Sequence, residues 1–287
     1  MIKQLLVNSG VYGAASILKT FISFLLIPIY TSIFSVEDYG VIGIISSIIG
    51  FIGLFMQFGV SNSMQRFYFD SNKKTHKEKI LFSGLLIIFA SATATLILSI
   101  ILLSLFSSKL DDYEIPAILV ILSLLALYLT QFINYTKEVM RVLFNPKKYF
   151  IIEVVPIIIS SLAAVAFLFF IKGSLTMLYI GTLVGTIFGL IIAIIISKNL
   201  FLYSFDTKTI RKMLEFGYPF IFVGLAYWIF QSSDRLMIMA LSSKTEVGFY
   251  YIGFQISSLI MLFIGAFSAA WAPNAFQLLN ENSRHKE

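Results

Sequence analysis

The sequence predicts an all-α integral membrane protein, a bundle of transmembrane helices. The 287-residue chain is 58% hydrophobic and only 13% charged, whereas soluble domains average about 45–50% apolar and about 25% charged residues. The apolar residues occur in blocks long enough to cross a hydrocarbon core of about 30 Å. Because backbone groups in lipid must find hydrogen-bond partners within the chain, these blocks must form helices. This composition excludes a disordered chain and argues against a water-soluble enzyme.

Eight apolar segments are each long enough to form a membrane-spanning helix. They occupy residues 8–34, 40–64, 80–106, 116–136, 149–171, 175–197, 215–241 and 248–272. The first is too long and too uniform for a cleaved signal peptide, so we predict a retained helix. In the sixth, Gly181, Gly185 and Gly189 form two overlapping G-x-x-x-G steps, which predict close helix packing.

The distribution of Lys and Arg predicts the orientation of the bundle. Alternate connections and both chain ends hold 16 of the 21 basic residues. They include Lys137 and Arg141, which we assign to the connection between the fourth and fifth helices. The positive-inside rule therefore places both ends in the cytoplasm. We expect the protein to lie in the cytoplasmic (inner) membrane. The basic loops then face anionic membrane lipids.

Several chemical functions have no support in the sequence. The chain has no Cys, and its two His residues lie far apart in polar segments, so we expect neither a metal site nor any other cofactor. Gly13–Thr20 resembles a phosphate-binding loop, but Leu18 replaces its second glycine and the segment lies in an apolar helix. The short outer loops leave no room for the catalytic domain of a glycosyltransferase, and nucleic acid is not an expected partner.

The first two helices resemble the last two when the sequence is shifted by 208 residues. Gly40 then aligns with Gly248 and Asp38 with Glu246. Six helices separate the two copies, so they run parallel, as expected for two lobes related by an axis along the membrane normal. We predict a six-helix lobe at 1–200 and the first two helices of a second lobe at 201–287, which we expect to be incomplete.

Lys19 is the leading candidate site residue. It lies near the middle of the first helix, where a lysine costs about 2.5–3.5 kcal/mol on insertion scales. It must therefore face an aqueous cavity or a partner. Polar neighbours form a stripe on the same helix face, namely Asn8, Tyr12, Ser16, Ser23 and Tyr30. The alternative is a structural lysine that pairs with an acid or extends toward the membrane surface.

The seventh helix carries a second polar stripe. Under the 208-residue shift, Lys19 aligns with Tyr227 and Ser23 with Gln231, and the stripe continues to Asp234. We predict that the two stripes face one another across a central cavity. Asp234 and the adjacent Arg235 need not pair, since neighbouring helical residues point about 100° apart. Glu153, one turn inside the fifth helix, is a weaker candidate.

Two segments resemble known bacterial proteins. In the first, Lys19 is followed by Pro28-Ile29-Tyr30, Val36-Glu37-Asp38-Tyr39-Gly40 and Arg66-Phe67-Tyr68. The second contains Glu215-Phe216-Gly217-Tyr218-Pro219, Ser232-Ser233-Asp234-Arg235, Glu246-Val247-Gly248-Phe249-Tyr250 and Trp271-Ala272-Pro273. Together they resemble polysaccharide-biosynthesis and O-antigen-type flippases of the multidrug/oligosaccharidyl-lipid/polysaccharide exporter superfamily.

The resemblance implies 12–14 helices in two lobes around a cationic cavity. It implies transport of a polyprenyl-pyrophosphate-linked oligosaccharide between leaflets by alternating access, for surface polysaccharide such as capsule or lipopolysaccharide. Lys19 and Arg66 would contact the anionic substrate, with Asp234 and Arg235 as the motif residues of the seventh helix. Tyr227 and Gln231, from the polar stripe of that helix, complete our predicted substrate-binding set. Polymerases or glycosyltransferases of the same pathway are candidate partners, and coupling to a proton or sodium gradient stays open.

Two other functions stay open at this point. One is a lipid II flippase or multidrug exporter of the same superfamily, although an exporter of cationic drugs would favour acids at the membrane centre. The other is a non-transporting scaffold within a polysaccharide-assembly complex.

Overall fold

A computed structural model describes residues 2–106, 110, 113–170, 174–201, 206–258 and 260, with side chains from residue 10 onward. The described residues form ten α-helices and no strand, which confirms the all-α prediction. In chain order they are α1 (Ile2–Thr31), α2 (Val36–Gln57), α3 (Val60–Tyr68), α4 (Lys74–Leu105), α5 (Ala117–Val142), α6 (Pro146–Phe170), α7 (Leu175–Ser197), α8 (Thr207–Gly217), α9 (Pro219–Leu241) and α10 (Lys244–Ser257).

Seven spans among the described residues are long and apolar enough to cross a membrane. They are Gly10–Thr31, Val36–Tyr68, Lys74–Leu105, Ala117–Val142, Pro146–Phe170, Leu175–Ser197 and Thr207–Leu241, and they match the first seven predicted segments. The predicted eighth, 248–272, starts within α10. Its remainder lies outside the described residues, apart from Ser258 and Ile260, and so does the Trp271-Ala272-Pro273 motif.

The second predicted helix is divided in the structure. Phe58 and Gly59 both adopt left-handed backbone angles, with φ of 47° and 64°, and this ends α2 and starts α3. A Cβ atom on Gly59 would overlap the carbonyl oxygen of Gly217, so only glycine permits this approach of α3 to α8. The Ser63 hydroxyl completes the contact by donating to the carbonyl of Met213 at 2.7 Å.

The fourth predicted helix is longer than its apolar pattern indicates. We expected it to end near residue 136, but α5 continues to Val142. Assigning Lys137 and Arg141 to a connecting loop was therefore wrong, and both lie on the last turns of α5. Charged side chains at a helix end interrupt the apolar pattern without interrupting the helix, which explains the error.

The glycine steps pack α7 against α6, as predicted. A Cβ atom on Gly181 or Gly185 would collide with the backbone of Ala164 or Ser160, and one on Gly189 would press on Pro156. The α6–α7 pair also contacts α5 and α1. This compact group surrounds the first part of the candidate site.

Helix α2 joins the first six spans to the later helices. It packs against α4 and α5 on one side and against α9 and α10 on the other. The indole of Trp228 on α9 donates to the carbonyl of Ser47 at 2.8 Å and lies beside the ring of Phe51. Near the starts of α2 and α10 the two helices cross closely enough for backbone contact.

This crossing is reciprocal. A Cβ atom on Gly40 would overlap the carbonyl oxygen of Lys244, and one on Gly248 would overlap that of Val36. Lys244 and Val36 are themselves related by the 208-residue shift that relates the two glycines. Each copy therefore makes the same contact with the other, as in a two-fold interface. Gly43 and its counterpart Tyr251 meet where the helices cross.

The two crossing helices also begin in the same way. Ser35 caps α2 by accepting from the amide of Asp38, and Ser243 caps α10 by accepting from the amide of Glu246. Both caps lie at positions related by the same shift. Side-chain acceptors at this position satisfy backbone donors that a helix start leaves without partners.

An ion pair outside the spans connects α10 to the segment before α5. The Lys244 ammonium donates to the carboxylate of Glu114, and this hydrogen bond, together with the lysine charge, lowers the pKa of Glu114. A pKa that is lowered in the folded state stabilises the fold at pH values above the ordinary pKa of a glutamate, about 4.3. This stabilisation is lost as the pH falls through the lowered value.

We therefore expect Glu114→Gln to lower the thermal midpoint at neutral pH, with the difference from the wild type vanishing in acid. The matched control is Glu37→Gln, since Glu37 is an exposed carboxylate without an ion pair in the described part of the chain. Thermal unfolding of both variants across pH 3–7 measures the effect. A Glu114→Gln difference that persists unchanged at the lowest pH would contradict this prediction.

Candidate functional site

Lys19 has a partner inside the bundle. Its Nζ atom lies 3.3 Å from Oε1 of Glu153 on α6, and Nζ of Lys137 on α5 lies 2.7 Å from Oε2 of the same carboxylate. We call these three side chains the ion cluster. Helix α1 thus meets the consecutive helices α5 and α6 at one carboxylate, and the cluster carries a formal net charge of +1.

The two lysines of the ion cluster differ in exposure. The Lys137 and Glu153 side chains are only 14% and 12% exposed, whereas 52% of the Lys19 side chain is exposed. An ammonium has three donors, and Glu153 is the partner that the described residues provide for Lys19. Lys19 therefore keeps donors for an anion, while Lys137 compensates the buried carboxylate.

A second polar layer extends the cluster toward the α5–α6 connection. The Glu138 carboxylate accepts from Gln65 on α3 at 2.9 Å and from Arg141 at 2.5 Å. The Tyr149 ring lies between this layer and the cluster, with Lys137 and Arg141 both 5.9 Å from its centroid. Tyr12 on α1 packs edge-on against it. The predicted α1 stripe thus contacts α6 through Lys19 and Tyr12, and the same α6 residues contact α5.

A cavity of about 480 Å³ opens on the other side of the ion cluster. Its wall comes from α1, α2, α5, α6 and α7, with Gln255 of α10 at one edge. Ser23, one turn from Lys19, and Ile157, one turn from Glu153, both line it. The cavity and the cluster are therefore adjacent along the axis of the bundle.

Arg66 forms no hydrogen bond or ion pair with the ion cluster among the described residues. It is on α3, where its Nη1 atom pairs with Oδ1 of Asp70 at 2.6 Å and its guanidinium lies over the ring of Phe67. Both charged side chains are exposed. The structure thus gives Arg66 a local partner at a helix end.

Tyr227 and Gln231 form a pair on the open face of α9. The Gln231 amide donates to the Tyr227 hydroxyl at 2.9 Å, and Tyr227 is 66% exposed. In the described part of the chain, no hydrogen bond or ion pair joins them to Lys19 or Arg66. Whether the α1 and α9 stripes face a common cavity stays a prediction.

Asp234 and Arg235 point toward α10 and form no ion pair with one another within the described residues, as we expected. The Tyr250 hydroxyl donates to the Asp234 carboxylate. Arg235 is only 6% exposed, and its guanidinium lies 5.0 Å from the ring centroid of Tyr251 and 4.7 Å from that of Phe254. Its cation is thus stabilised by aromatic faces, and the arrangement connects α9 to α10.

The sequence profile of one protein family, described as polysaccharide biosynthesis protein, matches residues 29–285. The chain belongs to this family. No curated protein matches it. A solved structure described as "protein A" is similar, with a TM-score of 0.72 and 15% sequence identity over 93% of this chain. The chain spans 63% of that structure's length, and at this identity the likeness concerns the fold.

Of the three side chains in the ion cluster of this polysaccharide biosynthesis protein, sequence reasoning singled out Lys19 as the leading candidate. Glu153 was ranked as a weaker candidate and Lys137 was assigned to a loop, yet both belong to the ion cluster. The signal that could have found them is their charge balance, because one acid and two bases occur near the facing ends of adjacent helices. Within the described residues, no group of three His, Asp or Glu side chains could hold a metal ion.

Proposed function

We propose that this polysaccharide biosynthesis protein is a flippase for polyprenyl-pyrophosphate-linked oligosaccharide. It would move the substrate across the cytoplasmic membrane by alternating access, as a transporter without catalysis. Membership of the family and the seven candidate spans support a membrane step of polysaccharide assembly. The observation that carries the proposal is the half-exposed ammonium of Lys19, deep within a span.

The position of Lys19 fits contact with a pyrophosphate. It lies about 18 Å along α1 from the helix end at Thr31. A charged side chain at that depth in a membrane costs free energy, which a functional contact with an anion would explain. Glu153 holds the ammonium in place without neutralising the cluster, since Lys137 supplies a second positive charge. A pyrophosphate accepts the charge-assisted hydrogen bonds that Lys19 can still donate.

The test is Lys19→Ala in the native gene, with surface polysaccharide measured per molecule of membrane protein. A hydrogen bond to a charged group contributes about 1.5–3 kcal/mol, so we expect about a tenfold loss or more. Lys19→Arg should keep part of the activity because it keeps the charge. Lys74→Ala is the control, since Lys74 is a highly exposed lysine at the start of α4.

Unchanged polysaccharide in Lys19→Ala at normal protein abundance would overturn the proposal. Loss in both Lys19→Ala and Lys74→Ala would also overturn it, since a general effect of charge would then explain the result. A scaffold would instead keep its partners in the complex while reconstituted protein moves no lipid-linked sugar.

A further inference from the structure

We propose that the 480 Å³ cavity beside the ion cluster binds one neutral, hydroxyl-rich sugar unit of the transported glycan. This inference rests on the proposed flippase function and assigns a second part of the substrate to a second site. Lys19 would contact the anionic linkage, and the cavity would receive an uncharged sugar ring.

The wall of the cavity is polar but uncharged. Twelve of the twenty lining residues carry a side-chain hydroxyl or amide, and none of the twenty is charged. The hydroxyls come from α1, α2, α5, α6 and α7, so they surround the space. Hydroxyls inside a membrane domain need hydrogen-bond partners.

Five of the eleven hydroxyls on the wall already donate to a backbone carbonyl. The hydroxyls of Ser46, Ser123 and Thr130 each donate to a carbonyl one turn earlier in their own helix, all at 2.7 Å. Thr182 and Thr186 do the same at 3.0 and 2.9 Å. A hydroxyl has one donor and two acceptor lone pairs. At these five positions the wall therefore offers acceptors, which suit a ligand with many donors, such as a sugar.

Tyr39 provides an independent observation. It lines the cavity, it is buried, and its hydroxyl has no hydrogen-bond partner among the described residues. A buried polar atom without a partner costs about 1–3 kcal/mol. A bound ligand that hydrogen-bonds this hydroxyl would remove the cost, and the rings of Tyr30 and Tyr179 would add flat contact surfaces.

The same features argue against a charged occupant. A carboxylate or a cation in this space would lose its hydration without gaining an opposite charge from the wall. The volume lies within the range of about 300–1,000 Å³ typical of small-ligand sites. It is compatible with a single sugar unit, while the charged part of the substrate stays one turn away at Lys19.

Single-cysteine labelling tests the site directly, because the chain has no cysteine of its own. Ser46→Cys places a thiol on the cavity wall, and Ser99→Cys places one in an apolar pocket on α2 and α4. Both serines are half-buried. The reagent is methyl methanethiosulfonate. The cysteine thiolate attacks its sulfenyl sulfur, which forms a mixed disulfide and releases methanesulfinate.

The purified protein is treated with the reagent alone and, in separate reactions, in the presence of one sugar. The sugars are glucose, galactose, mannose, rhamnose, N-acetylglucosamine and N-acetylgalactosamine. We expect at least one neutral sugar to slow labelling of Ser46→Cys about threefold at a concentration twice its Kd. Labelling of Ser99→Cys should not change. Glucuronate, and sodium in place of potassium, should protect neither cysteine. If Ser46→Cys does not fold, Thr130→Cys on α5 takes its place.

Three results would overturn the inference. They are no labelling of the cavity cysteine, no protection by any neutral sugar, and equal or better protection by glucuronate or sodium. The labelling does not depend on transport. If sugar protects the cavity cysteine but Lys19→Ala makes normal polysaccharide, the flippase role is rejected and the sugar site is kept. If sugar gives no protection but Lys19→Ala loses polysaccharide, the sugar site alone is rejected.

Discussion

Glu153→Gln should be among the most destabilising single substitutions in the chain. It removes the only carboxylate of the ion cluster and leaves Lys137, only 14% exposed, without an opposite charge. Breaking a buried ion pair by removing one partner costs about 3–5 kcal/mol, because the remaining charge stays buried and uncompensated. The free energy of unfolding of the purified protein in detergent, followed by tryptophan fluorescence, measures this loss.

An exposed ion pair provides the matched control. Asp70→Asn breaks the pair with Arg66, where both side chains are exposed, and should change the stability by about 0–1 kcal/mol. The double variant Lys137→Met/Glu153→Leu should regain most of the loss, because it removes both buried charges. Equal losses in Glu153→Gln and Asp70→Asn would show that the cluster is effectively hydrated.

Gly40→Ala and Gly248→Ala should each push α2 and α10 apart. The added methyl group would overlap a backbone carbonyl oxygen of the opposite helix, and a backbone cannot rotate aside as a side chain can. Overpacking of this kind costs about 1–3 kcal/mol. Both glycines lie at one crossing, so the first substitution, by separating the helices, relieves part of the overlap that the second would cause. The double variant should therefore lose less stability than the sum of the two single losses.

Gly253→Ala is the control for this pair, since a Cβ atom at Gly253 of α10 meets nothing within 4 Å. In a helix interior, alanine is favoured over glycine by about 0.5–1 kcal/mol, so the thermal midpoint of Gly253→Ala should stay the same or rise. Strict additivity of the two destabilising variants would contradict a shared crossing. A rise in the midpoint of Gly40→Ala would contradict the close approach itself.

The positions of the spans could be predicted from the sequence, but the ends of the helices could not. Long apolar blocks leave few alternatives in lipid, and all seven candidate spans match predicted segments. The end of α5 and the break at Phe58-Gly59 were missed. Charged residues hide the end of α5 from the apolar pattern, whereas the left-handed turn depends on a neighbour, the backbone of Gly217.

The 208-residue repeat likewise has one feature that the sequence predicts and one that depends on packing. The matched glycines and acids predicted that α2 and α10 are equivalent, and their shared caps agree with this. The close contact of the two copies, with each glycine against the other copy's backbone, could not be read from the pattern. A repeat fixes which residues correspond, whereas their distance depends on how the helices pack.

By itself, the sequence determined the helical class, the spans and the presence of an unusual lysine in mid-membrane, because hydropathy and the cost of a buried charge are local properties. The tertiary structure alone decided that Lys19 shares Glu153 with Lys137, and that Arg235 lies between aromatic rings. Lys19 and Glu153 are 134 residues apart, and the other contacts each join two different helices, so no periodicity within one helix encodes them. The packing of the helices selects these partners.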